Sequence, residues 1–323
     1  MRKIPRFDFK NINLLPKRCI VQSRNECDTS FRLGEKQFKM PVIPANMECV
    51  INENLAMKLA QHDYFYILHR FNVNTVDFSM KMRNAKLPVS ISLGVNKDSY
   101  NVLYQLKQHN LVPDYVTIDI AHGHSVKMEK MIDWIRATFP LQRPFIIAGN
   151  VSTKEAVRDL ENWGADAIKV GIGPGSACTT YMTTGFGSRG IQASVLYECV
   201  CAKEQSKTHI IADGGIEEPG DIAKALVLGA DSVMIGGMVS GMSDSPGNVA
   251  LGKNGKYYKE VWGSASPRSG KINRIEGKSY SIPMKDYSIL TELKYIQECL
   301  QSSISYGGGK SISDLYDVEF TLS

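Results

Sequence analysis

Eight short, β-branched apolar runs recur along the chain, and segments of helical periodicity fill most of the intervals between them. The runs are PVIPANM (41–47), YFYILHR (64–70), PVSISLGV (88–95), YVTIDIAHG (115–123), PFIIAGNV (144–151), AIKVGIGPG (167–175), HIIADGGI (209–216) and SVMIGGM (232–238). A strand that is apolar almost throughout is one buried on both faces, as in a parallel sheet covered by helices. NENLAMKLAQHD, SVKMEKMIDWIRATF and TKEAVRDLENWG each start on an Asn, Ser or Thr suited to an N-cap, and PGDIAKALVLGA continues the series. Gly164 and Gly229 stand where a helix should stop and a strand begin. Eight strand–helix units between residues 41 and 238 make the α/β fold of a (β/α)8 TIM barrel. A doubly wound sheet needs fewer strands and a glycine fingerprint near the first, and no GxGxxG opens a helix here. No linker divides the chain, so residues 1–323 are expected to form a single domain.

Barrel chemistry sits at the C-terminal ends of the strands. Those ends carry Asn46, His69, Gly94, Asp119, Gly149, Asn150, Gly173, Gly175, Asp213, Gly214, Gly215, Gly236 and Gly237. After the sixth run comes GIGPGSACTT (171–180), a stretch stripped of side chains that ends on a cysteine. Bare backbone lets N–H and C=O groups approach a ligand closely. A thiolate is a strong nucleophile even when only partly ionised, so Cys178 is the candidate nucleophile. Thr180, two residues on, is close enough to relay a proton but needs a partner group. DGG (213–215) after the seventh strand and GG (236–237) after the eighth occupy the usual phosphate position of such barrels, and the Asp213 carboxylate suits a ribose diol. His122 and His124 form an HxH without a third ligand, which favours polar loop residues over a metal site.

Seven cysteines at irregular spacing, without a CxxC, make neither a disulfide framework nor a zinc site; in a reducing cytoplasm each starts as a small buried hydrophobe, a reading that the glycine loop reverses for Cys178. The net charge of +5 is spread without a basic run, which argues against nucleic acid as a partner. No apolar stretch is long enough for a signal peptide or a membrane span. Residues 243–288 are rich in Ser, Gly, Lys and Tyr with little periodicity, and are expected to be a structureless active-site flap. A final helix, YSILTELKYIQECLQSSI, should close the barrel.

KVGIGPGSACTT, with IIAGNV before it and IIADGGI, GAD and VMIGG after it, resembles the IMP dehydrogenase/GMP reductase family. The resemblance runs from PVIPANM to WGSAS, EGK and QSSISYGGG, nearly the whole chain. Within the family it favours the short bacterial GMP reductase type. Only residues 71–87 separate the second and third runs, too few for a CBS-domain insertion, and 267–275 (PRSGKINRI) lack the Arg-Tyr pair of the dehydrogenase flap. FGSRG (186–190) and IDIAHGHS (118–125) also look like the reductase form, whereas Tyr181 stands where many relatives carry Arg or another polar residue. A minimal IMP dehydrogenase without CBS domains is the alternative.

The resemblance implies NADPH-dependent conversion of GMP to IMP and ammonia, in purine salvage, through a thioimidate on Cys178, with Glu276 and Thr180 moving the proton. It implies that Ser176, Asp213, Gly214, Gly215, Gly236 and Gly237 hold ribose and phosphate, and that Ser264, Ser266 and Gly277 meet the base. Arg70, Asp119, His122 and Asn150 would line the nicotinamide half of NADPH. Ser23, Arg24, Ser302, Ser303 and Ser305 would reach a neighbouring subunit's cofactor within a homotetramer, Arg24 pairing with the 2′-phosphate. K⁺ on the carbonyls of Gly173, Gly175 and Cys178 is implied as well.

Overall fold

The computed structural model describes residues 6–204, 208–266 and 276–323. Its centre is a curled parallel sheet of β1 (Val42–Pro44), β2 (Ser90–Leu93), β3 (Tyr115–Asp119), β4 (Phe145–Val151), β5 (Ala167–Val170), β6 (His209–Asp213) and β7 (Ser232–Ile235). The neighbours run β1-β7-β6-β5-β4-β3-β2, so the first strand pairs with the last, as barrel closure requires. Helices cover the outside. Asn52, Ser125 and Thr153 each accept a backbone N–H of the helix they precede, and Gly164 ends its helix at φ +99°.

The run at 64–70, expected as the second barrel strand, makes only a single bridge, Leu68 to Ile91. Side chains take the groups that a ladder would use. The Ser90 N–H donates to the Tyr66 hydroxyl at 3.2 Å, and the Leu68 carbonyl accepts from the Ser92 hydroxyl. Burial survives the lost pairing. Phe65 and Ile67 lie in the barrel interior with Ile43, Tyr115, Ile147, Ala167, Ile211 and Met234. The segment therefore fills the eighth place of a (β/α)8 barrel by packing rather than by regular hydrogen bonding.

A hairpin of Phe31–Leu33 and Lys36–Phe38 seals the N-terminal end. Phe38 stacks near Phe65 (ring centres 5.0 Å apart), Phe65 against Tyr115 (4.9 Å), and the Tyr115 hydroxyl donates to the Leu33 carbonyl at 2.8 Å. With that end plugged by aromatic rings, the other end is left for ligands. The last helix, Ile289–Tyr306, buries Ile289, Leu293, Ile296, Leu300 and Ile304, an apolar stripe at helical spacing.

Two expectations need correction. The 243–288 segment is not structureless: β8 (Val249–Leu251), β9 (Tyr257–Trp262) and β10 (Ser279–Pro283) form an antiparallel sheet. Alternation in β9 buries Lys259 and Val261. The Lys259 ammonium satisfies itself on the carbonyls of Ser243 (3.1 Å) and Ser245, while burial pushes its amine down from the usual lysine range. Residues 267–275, which lack the Arg-Tyr pair, lie outside the described residues. The cysteines also divide. Cys27, Cys49 and Cys199 are buried hydrophobes, but Cys19 and Cys201 are exposed and Cys178 and Cys299 lie between.

Phe38→Ala should lower stability by about 3–5 kcal/mol, read as a shift in denaturant midpoint. A change under about 0.5 kcal/mol would show that the hairpin does not seal the barrel.

Candidate active site

A cavity of about 600 Å³ opens where the strand ends converge. Its floor is Met234, Lys169 and Asp213, and its rim includes the 171–178 loop, Gly214–Glu217, Gly236–Met238 and Gly263–Ala265. Gly171 shows why the loop is bare: at φ +145°, a Cβ there would lie 2.0 Å from the Asp213 carbonyl. The loop can leave β5 beside β6 only without a side chain.

Cys178 faces the cavity and begins a directed chain of hydrogen bonds. Its thiol donates to the Thr180 hydroxyl at 3.2 Å, and that hydroxyl donates to a Glu276 carboxylate oxygen at 2.7 Å. Two backbone hydrogen bonds hold the two distant segments together: Thr179 N–H donates to the Glu276 carbonyl (2.9 Å) and Lys278 N–H donates to the Ala177 carbonyl (3.0 Å), which together make the antiparallel bridge of Cys178 with Gly277. Cys178, Thr180 and Glu276 are thus brought together by backbone pairing across almost a hundred residues of sequence.

Deeper in, Lys169 is the residue that sequence reasoning missed. Its side chain is 2% exposed and its ammonium bridges Asp119 at 2.6 Å and Asp213 at 3.0 Å. Burial alone would raise the Asp119 carboxyl, but the charge and hydrogen bond of Lys169, helped by Arg70, hold it below the usual range. Burial likewise opposes the Lys169 charge, and the two carboxylates outweigh it, raising the amine above the lysine range. Asn150 joins them, donating to Asp213 at 2.7 Å and to the Gly171 carbonyl at 2.7 Å. The available signal was a lysine inside an otherwise apolar strand, since a fully buried charge must be paired.

Of the expected nucleotide contacts, Ser176, Asp213, Gly214, Gly215, Gly236, Gly237 and Ser264 line the cavity. Gly277 lies beside it through the bridge to Cys178, and Ser266 is buried outside the lining. Arg70, Asp119 and Asn150 line the cavity, whereas His122 is exposed outside it and His124 binds Asp159 at 2.7 Å. Ser23, Arg24, Ser302, Ser303 and Ser305 cluster elsewhere. The Arg24 guanidinium donates to the Ser302 hydroxyl at 3.2 Å and approaches Glu298 at 3.9 Å. Among the described residues, no group of three His, Cys, Asp or Glu could hold a metal ion. The carbonyls of Gly173, Gly175 and Cys178 are the neutral oxygen donors an alkali cation takes, although Gly175 already accepts the Cys178 N–H at 3.0 Å.

Lys169→Met strands two buried carboxylates and should cost about 3–5 kcal/mol at neutral pH. Because the paired Asp119 titrates below its unfolded value, its stabilisation is complete above about pH 4 and fades as pH falls through the folded value. The gap between wild type and variant should therefore narrow in acid as the stranded Asp119 takes up a proton. A gap that is flat from neutral pH to pH 3 in denaturant titrations contradicts this ion-pair account.

Comparison with known proteins agrees with this geometry. The model for the IMP dehydrogenase / GMP reductase domain matches residues 6–321. A protein named GMP reductase from Clostridium acetobutylicum is 50% identical over 322 residues, covering 98% of this chain and 95% of the relative. Proteins of the same name from Albidiferax ferrireducens and Bacillus subtilis are each 49% identical, over 315 and 318 residues, covering 97% and 98% of this chain and 95% of either relative. With the matched residues running through the cysteine loop, the buried lysine and the flap, the chain belongs to the IMP dehydrogenase/GMP reductase family.

Proposed function

We propose that the protein catalyses GMP + NADPH + 2 H⁺ → IMP + NADP⁺ + NH₄⁺. The observation that carries this reading is the directed chain Cys178–Thr180–Glu276 at a cavity floored by Asp213 and Lys169. The thiol proton passes through Thr180 to Glu276 as the sulfur attacks C2 of guanine. That one transfer activates the nucleophile and loads the acid. The adduct cannot expel an amide-like anion, so the proton returns to the departing nitrogen, ammonia leaves, and a thioimidate remains on Cys178. NADPH, when bound, supplies hydride to C2. The sulfur is then expelled as thiolate, which yields IMP, and a proton taken up from solvent restores the thiol.

Asp213 is placed to accept from the ribose hydroxyls, with Lys169 and Asn150 fixing its orientation. Arg70, Asp119 and Asn150 are the residues that would hold the nicotinamide half. A potassium ion on the carbonyls of Gly173, Gly175 and Cys178 would stiffen the loop that aims the sulfur. Ser23, Arg24, Ser302, Ser303 and Ser305 are not among their own cavity's lining residues, which is compatible with their reaching a neighbour's cofactor in a homotetramer. A cytoplasmic role in purine salvage follows from the same reading.

Paired assays test the reaction. GMP with NADPH should bleach the nicotinamide band, while IMP with NAD should be inert; IMP oxidation without GMP turnover would overturn the assignment to the reductase. Cys178→Ala should bind GMP with turnover reduced at least 10³-fold. Residual activity within tenfold of wild type removes the sulfur from the mechanism.

A further inference from the structure

We infer that Tyr280 is a binding residue for the 5′-phosphate of the nucleotide, a role that rests on the reaction proposed above. Its hydroxyl lies 2.7 Å from the Ser176 hydroxyl, and both residues line the cavity. Ser176 stands two residues before the nucleophile and Tyr280 four after the acid. In β10, Tyr280 sits opposite Val261 of β9, so Val261 presents only an apolar side chain to the cavity and Tyr280 supplies the hydroxyl of that wall.

Two glycines mark where the ligand goes. Gly175 and Gly237 line the cavity, yet a Cβ at either would meet no protein atom within 4 Å. Neither has the positive φ that demands glycine. Neither packing nor backbone conformation accounts for the missing side chain, and a group that approaches from the cavity does. Two mutually bonded hydroxyls share one proton and leave the other free to donate. A phosphate dianion only accepts, so it takes that proton and, by separating the pair, both. Lys278, whose ammonium is 5.8 Å from the Tyr280 ring centre, adds positive charge on the same strand end.

The arrangement ties phosphate occupancy to chemistry. Tyr280 and Glu276 are on one short segment, bonded to the cysteine loop through the Glu276 carbonyl and the Lys278 N–H. A phosphate held by Ser176 and Tyr280 would bridge the cysteine loop and the segment that carries Glu276.

The test is equilibrium binding of GMP, guanosine and NADPH to the full-length protein and to Tyr280→Phe, which keeps the ring and removes one oxygen. Ser176→Ala serves as a second variant. A lost hydrogen bond to a charged group predicts about tenfold weaker GMP binding, with guanosine and NADPH changed less than about twofold. Equal weakening of GMP and guanosine, weakening of NADPH alone, or no change would each overturn the role of Tyr280. Tight GMP binding by a wild type that turns over no GMP would sink the proposed reaction and leave this comparison readable.

Discussion

The mouth of the barrel depends on one ammonium held between two carboxylates. Lys169 reaches from β5 to Asp119 at the end of β3 and Asp213 at the end of β6, its own side chain only 2% exposed and the two carboxylates facing the cavity. A lone carboxylate there would take a proton, and a lone lysine would lose one. Paired, they remain ionised and keep three strand ends in fixed relation. The proposed ribose ligand and the proposed nicotinamide neighbour are therefore parts of a single electrostatic unit.

Above that floor, geometry is imposed by backbone pairing. Cys178 lies on a loop after β5 and Glu276 just before β10 of the flap, and neither element would find the other through side chains alone. The two amide hydrogen bonds of the Cys178–Gly277 bridge do so at small entropic cost, because each amide needs a partner in any case. Thr180 is buried between them, so the proton path of the proposed reaction would pass through a buried hydroxyl.

Much of this was legible in the sequence where the physics is local. Apolar runs and N-caps at Asn52, Ser125 and Thr153 placed strands and helices, and bare glycines before Cys178 marked the site. The failures were non-local. The strand at 64–70 loses its ladder because the Tyr66 and Ser92 hydroxyls claim backbone groups, a competition visible only after β2 is in place. The flap passed for irregular chain because only two residues of β9, Lys259 and Val261, point inward, and one of them is charged. Lys169 went unnoticed because a charge in an apolar run has meaning only once its two acidic partners are known.

The aromatic plug at the far end has a kinetic consequence. With Phe38, Phe65 and Tyr115 stoppering one end of the barrel, a ligand reaches the cavity from the opposite end. If the two partners of the proposed reaction share that opening, they form a queue: whichever lodges at the back enters before its companion and departs after it.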